Sequence, residues 1–305
     1  MGERGVARGA LRGANRDDSV SVEVLRAGAL TTVQDLGRAG YAHLGVPRAG
    51  AVDLPALLLA NRLVGNPPTA AGLEITMTGC TLRFDAATVI AVTGAEVTRL
   101  RIGTRPADLG VPVPVRAGAV VEIGPARTGL RSYLAIAGGI AVEPVLGSRA
   151  TDTLSGLGPP VLRNGDALPL GPPGGAPAPV WFSPRPAVAA GPVRLGVRLG
   201  PRHDRFTRSA LTTFTTATYA VSPLSDRIGA RLTGPPLART STGELPSEGI
   251  VLGAVQVPPD GQPLVLLANH PTTGGYPVIA VVDEADLPLL AQARPGTTVT
   301  FSRQE

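Results

Sequence analysis

Residues 263 to 282 read Pro-Leu-Val-Leu-Leu-Ala-Asn-His-Pro-Thr-Thr-Gly-Gly-Tyr-Pro-Val-Ile-Ala-Val-Val. Two short apolar runs, Pro263 to Ala268 and Val278 to Val282, enclose a stretch of donors and hinges. Short runs rich in Val, Leu and Ile and punctuated by Gly and Pro predict strands, here with a polar loop between them. In that loop Gly274 and Gly275 permit a left-handed backbone and close approach, while Thr272 and Thr273 supply short hydroxyls. His270 and Tyr276 can exchange protons or stack. The segment is therefore either a hairpin turn with polar filler or a ligand grip held by rigid strands.

The same punctuation runs outward along the chain. With Gly 39 and Pro 31 in 305 residues, long helices are disfavoured and short strands joined by turns are expected. In the first half the clearest alternating segments are Ser21 to Leu25, Leu73 to Met77, Thr81 to Phe84, Val89 to Val92, Val97 to Ile102, Val120 to Ile123 and Arg131 to Ile136. In the second they are Val193 to Leu199, Arg231 to Thr233, Ile250 to Val257, Leu264 to Ala268, Val278 to Val282 and Thr297 to Phe301. Asp53 to Val64 departs from alternation. Asp53 as N-cap, Pro55 in the first turn and Gly65 as the stop predict a buried helix with Asn61 on its last turn. Phe206 to Tyr219 and Glu284 to Ala293 are also predicted helical. The organisation predicted is an Arg-rich disordered arm over 1–21, an N-terminal β unit over 22–172, a Pro/Gly-rich linker over 173–191 and a C-terminal β unit over 192–305.

Composition excludes several chemistries. All 28 basic residues are arginine, so there is no phosphate-loop lysine, no Schiff-base lysine and no lysine to carry biotin or lipoate. No cofactor is expected on this chain; ATP or carboxybiotin, if used, is carried by a partner. Cys80 is the sole cysteine, which rules out an intramolecular disulfide and a zinc cluster, and no metal site is expected. The arginines are scattered, aromatics are 3%, and no nucleic-acid module is present, so nucleic acid is not an expected partner. No apolar window reaches membrane-spanning length, and a cytoplasmic location is expected.

Several segments together resemble the allophanate hydrolase subunit 2-like, biotin-dependent carboxyltransferase family. They are Thr31-Thr32-Val33-Gln34-Asp35-Leu36-Gly37-Arg38, Gly45-Val46-Pro47 with Gly50-Ala51-Val52-Asp53, Ala60 to Asn66, Leu73-Glu74, Ala137 to Ile140 with Leu146 to Arg149, Ser225 to Gly229, Gln256-Val257-Pro258 and Thr272 to Pro277. The resemblance implies a mostly β fold of two cyclophilin-like β-barrel units with a few short helices. It also implies a partner of the allophanate hydrolase subunit 1-like type, equivalent to the B subunit of bacterial 5-oxoprolinase, with the A subunit of that enzyme as a further partner. The activity implied is ATP-dependent opening of 5-oxo-L-proline to L-glutamate in a multi-chain hydrolase that this chain does not run alone. A carboxyltransferase role in a urea carboxylase or allophanate hydrolase system, and a non-catalytic role binding a kinase-inhibitor-like partner, stay open.

The family pattern carries a carboxylate before the basic position ahead of Thr-Thr-Gly-Gly-Tyr, where this chain has Asn269; Pro271 and Leu224 are further departures. The catalytic acid and base groups implied are Asp53, Asp226 and His270 at a cleft between the two parts. Asn61, Arg227, Gln256, Thr272, Thr273, Gly274, Gly275 and Tyr276 would hold a carbonyl or carboxylate. Each has a structural alternative: Asp53 as a helix cap, Asp226 with Arg227 as a turn pair, Gln256 as a strand-edge amide, Asn61 as a helix-end bond.

Overall fold

The fold is that of a computed structural model, which describes residues 20–177 and 191–304 apart from 242 and 244. Most of the predicted arm and linker lie outside the described residues. Among the described residues the chain is mostly β, as expected, with three short α-helices.

The first half is a sandwich. One sheet has six strands in the order Ala167–Pro169, Ser21–Arg26, Cys80–Phe84, Val120–Ile123, Leu100–Ile102, Arg105–Pro106. The other has five, in the order Leu30–Gln34, Gly72–Thr76, Ala126–Ile136, Thr88–Val97, Val113–Val115. Their inner faces share one core containing Val22, Val24, Leu82, Phe84, Ile90, Val92, Leu134 and Ile136. The segment Val97 to Ile102, predicted as one strand, is two. The Thr98 amide bonds to Pro125 O at 2.8 Å, so the chain steps from one sheet to the other at Thr98 and Arg99.

The period of two decides what the five-stranded sheet shows to its back. Ala91, Thr93, Ala135 and Ala137 alternate with the large core residues and leave room for α1 (Leu54–Leu63). Asp53 caps α1 by accepting from Ala56 N at 3.1 Å, and Thr93 Oγ1 donates to Ala56 O at 2.7 Å. The same alternation puts Glu74, Arg131 and Tyr133 on the back of the sheet, with Glu74 opposite Tyr133 in the ladder.

The second half closes into a seven-stranded barrel: Val193–Leu199, Val278–Val282, Ala254–Gln256, Leu264–Leu266, Gly229–Thr233, Tyr219–Val221 and Thr298–Arg303. Its neighbouring strands are antiparallel except for Val193–Leu199 beside Thr298–Arg303, which run parallel. Phe214 stacks on Phe301 with ring centroids 4.3 Å apart, and Val52 from the first half joins this core.

The predicted helix over Phe206 to Tyr219 is shorter, because Thr207 caps α2 (Arg208–Thr216) by accepting from Ala210 N and Tyr219 enters the barrel. The threonines fit because their hydroxyls bond back along the helix, Thr212 to Arg208 O and Thr216 to Thr212 O. Glu284 to Ala293 splits into a 3-10 turn, Glu284–Asp286, and α3 (Leu287–Ala291). The strand predicted over Ile250 to Val257 is only Ala254–Gln256, since Gly253 turns the chain with φ +79°.

Candidate functional site

A cavity of about 290 Å³ lies at the seam of the two halves. The first half lines it with residues between Leu36 and Leu58, and the barrel with Leu252, Leu267, Ala268, His270 and the Glu284 to Pro288 segment. Its walls are mainly apolar. His270 sits among them, with Arg48 and Glu284 exposed at the margin.

The wall formed by Arg48 to Pro55 takes an unusual path. Ala49 is left-handed at φ +54°, and Gly50 at φ +93° packs so closely on Gly37 N that a Cβ would lie 2.9 Å from it. Arg227 of the barrel, 2% exposed, holds this wall by donating to Gly50 O at 2.6 Å. Arg227 also donates to the Glu74 carboxylate, which accepts Val52 N at 3.0 Å and the Tyr133 hydroxyl at 2.8 Å. Tyr133 in turn accepts Asp53 N at 2.8 Å. Arg131 Nε lies 3.5 Å from the same carboxylate. Burial alone would raise the Glu74 carboxyl, but Arg227 and Arg131, with the Val52 amide, outweigh it and hold it below its ordinary range.

A second link crosses the seam at Gln292, just beyond α3. Its Nε2 donates to Asp53 Oδ2 at 2.7 Å and Arg131 O at 2.9 Å, while Oε1 accepts Leu130 N and Arg131 N. Burial pushes the Asp53 carboxyl up, against the bonds from Gln292 and Ala56. Asp53 is 3% exposed and both of its oxygens are engaged.

His270 is half-buried, and burial lowers its imidazole below the usual range. Nδ1 lies 2.7 Å from Pro271 O. A carbonyl only accepts, so the neutral ring carries its proton on Nδ1 and Nε2 keeps a lone pair. Nε2 has no hydrogen-bond partner among the described residues.

Of the acid and base groups implied by the resemblance, the structure brings His270 to the cavity and sets Asp53 immediately behind its wall. Asp226 is exposed and closes a turn, accepting Ile228 N at 2.8 Å and Gly229 N at 3.1 Å, while neighbouring Arg227 turns inward. Asn61 bonds to Ala70 O and accepts from Asn66, stitching the end of α1 to the following loop.

Gln256 donates to Tyr276 O at 3.3 Å. The Thr-Thr-Gly-Gly-Tyr stretch forms a short ribbon, Thr273–Gly274 pairing with Glu248–Gly249, with Thr273 and Tyr276 exposed and Thr272 and Gly275 half-buried. Tyr276 lies under Arg239, whose Cζ is 5.9 Å from the ring centroid. Neither Gly274 nor Gly275 takes the left-handed backbone that glycine permits. Gly274 instead gives close approach: a Cβ there would meet Gln256 Nε2 at 2.7 Å, so the amide end of Gln256 would have to shift.

Sequence reasoning missed Glu74, Arg131, Tyr133 and Gln292 as parts of this site. A glutamate between Leu73 and Ile75, beside a strand carrying Arg131 and Tyr133 in alternate positions, was the available signal. Other matched segments are loop stitches near the cavity. Asp35 accepts Gly37 N, the Ser148 hydroxyl and Arg149 N at 2.8, 2.6 and 2.6 Å, and buried Arg38 donates to Ala150 O at 2.6 Å. Among the described residues no group of three or more His, Cys, Asp or Glu side chains could hold a metal ion, and no helix is long and apolar enough to cross a membrane.

Comparison with known proteins gives a consistent picture. The model of the carboxyltransferase domain, subdomains A and B, matches residues 44–303. The C subunit of 5-oxoprolinase from Escherichia coli K12 is 40% identical over 290 residues, covering 92% of this chain and 90% of that protein. The urea amidolyase of Lachancea kluyveri is 35% identical over 92% of this chain, which spans 17% of that longer protein. The crystal structure of the K. lactis urea amidolyase superposes with a TM-score of 0.87 at 32% identity, over 94% of this chain and 19% of the other.

Proposed function

Because the chain belongs to the family of the carboxyltransferase domain, subdomains A and B, we propose that it is the C-type component of a multi-chain, ATP-dependent 5-oxoprolinase. The observation that carries this reading is one of extent. The match to the 5-oxoprolinase C subunit runs nearly end to end in both proteins, whereas the urea amidolyase match occupies a small part of a larger chain. In the proposed reaction the lactam carbonyl carbon gains a hydroxyl, the ring C–N bond breaks and the nitrogen takes a proton, one water supplying both, to give L-glutamate, while a second water cleaves ATP to ADP and phosphate. Without lysine in this chain, ATP is bound by a partner of the B or A type, in the cytoplasm.

The seam cavity is the proposed place of this chain's contribution. Its size and apolar walls suit a small ring, the lone pair on His270 Nε2 suits the lactam N–H, and Arg48 at the margin suits the substrate carboxylate. Asp53, its carboxyl raised by burial behind the wall, supports that wall. Asp226, Asn61 and Gln256 act by holding backbone, and the Thr272 to Tyr276 ribbon offers its exposed edge to the partner.

The test is co-purification with a B-type partner chain, followed by measurement of glutamate release from 5-oxo-L-proline with ATP. Release that depends on this chain supports the reading. Release that survives its omission refutes it, and biotin-dependent carboxylation of urea in its place favours the carboxyltransferase alternative, which the likeness to urea amidolyase also supports.

A further inference from the structure

Asn269 is wholly buried beside His270, and its side chain joins pieces from both halves. Oδ1 accepts Arg227 Nη2 at 3.1 Å, while Nδ2 donates to Asp152 Oδ1 at 3.0 Å and Thr153 Oγ1 at 3.3 Å. Its main-chain N–H donates to Arg227 O at 2.9 Å. An amide meets both demands at once, with its acceptor end toward a guanidinium and its donor end toward a carboxylate. An aspartate would face Arg227 equally well but would set an oxygen about where Nδ2 lies, 3.0 Å from Asp152. Two carboxylates that close resist joint ionisation. This gives a physical reason for an amide at a position where the family resemblance implies a carboxylate.

His270 follows through a single peptide bond. Its N–H donates to Leu267 O at 3.0 Å and its Nδ1 to Pro271 O, both within its own turn. No other hydrogen bond holds the ring among the described residues. The turn is tied to the first half through Asn269, and Arg227, on the other side of that amide, also holds the cavity wall at Gly50.

We infer that Asn269 is a positioning residue: by bridging Asp152 and Arg227 across the seam it sets the place of the His270 imidazole in the cavity. The inference rests on the seam cavity being the substrate site.

The chain has three histidines, so selective isotope labelling gives few imidazole signals, and that of His270 is assigned by its loss in His270→Asn. Asn269→Asp is expected to shift the His270 signal while leaving those of His43 and His203 in place. Asp152→Asn with Asn269→Asp, which exchanges carboxylate and amide, is expected to return it toward the original position. In the assembled complex Asn269→Asp should lower kcat at least tenfold with a smaller change in KM, and the exchange should recover part of that loss. Should Asn269→Asp not fold, Asp152→Asn alone, which keeps Asn269 and weakens its acceptor, must shift the same signal. An unmoved His270 signal in a folded variant overturns the inference. Unchanged turnover in His270→Asn would instead overturn the substrate-site reading, and the two failures are thereby distinguished.

Discussion

The Arg227 guanidinium of the barrel donates to the Glu74 carboxylate of the five-stranded sheet, and solvent reaches neither, with exposures of 2% and 1%. A charge pair removed from water at the seam of two units makes each unit's stability depend on the other. Removing one member leaves the other charged and buried, which is far more costly than losing the pair as a whole. Arg227→Ala is therefore expected to destabilise the chain by about 3–5 kcal/mol, read from urea denaturation. Arg83→Ala, which breaks the solvent-exposed pair with Glu23, should leave the midpoint unchanged. Equal effects of the two substitutions would refute the seam's dominance.

Acid should act on this pair with a definite sign. The folded Glu74 carboxyl lies below its ordinary value of 4.5. The stability it contributes is thus fully present above that value and is lost as pH falls through the lower folded value. Asp53 has the opposite sign. Its folded carboxyl is raised above 3.8, so it opposes folding at neutral pH and that penalty fades as pH falls through its folded value. Acid titration of the urea midpoint should be less steep below pH 4.5 in Glu74→Gln than in the parent chain, and a steeper slope in the variant would contradict this assignment.

For His270 the imidazole is held below 6.5, chiefly by burial. Protonation blocks Nε2 as an acceptor, so kcat/KM of the assembled enzyme should be flat near neutrality and fall on the acid side with an apparent pKa under 6.5. His270→Gln should abolish the acid limb and reduce turnover at least tenfold, about 1.4 kcal/mol of transition-state stabilisation. A limb that survives in His270→Gln assigns it to another group.

At Gly274 the prediction concerns packing. A methyl group would press on the Gln256 amide, itself 4% exposed and bonded to Tyr276 O. Gly274→Ala should cost about 1–3 kcal/mol, whereas Gly275→Ala, whose nearest contact is Leu245 O at 3.1 Å, should cost less. Thermal denaturation of the two variants decides it, and a reversed order would show that ribbon conformation, rather than crowding against Gln256, governs the site.

The fold was legible wherever a local pattern met no long-range competitor. Asp53, Pro55 and Gly65 mark α1 through capping chemistry confined to a few residues, and the helix forms there. Thr98 and Arg99 were not legible as a break, because what divides that segment is a hydrogen bond from the Thr98 N–H to the carbonyl of Pro125, distant in sequence. The site followed the same division. His270 stood out by its residue type. Glu74 and Tyr133 did not, because a buried charge at the middle of an apolar strand has meaning only once Arg227, from the other half of the chain, is beside it. Arg227 was singled out for a substrate carboxylate, and its guanidinium is occupied instead by the protein's own Glu74, Gly50 and Asn269.

The parallel closure of the barrel, Val193 beside Val299, bears on the order of assembly. Antiparallel hairpins within that half can form from neighbouring segments, but this closing pair must wait until nearly the whole second half has been drawn together, at a loop-closure cost that falls early and is repaid late. The sandwich can condense first, with Glu74 and Asp53 still facing water. Arg227 then reaches Glu74, and Gln292 reaches Asp53, only as the barrel settles, so refolding should proceed in two stages, and the chemistry at the seam becomes available only with the second.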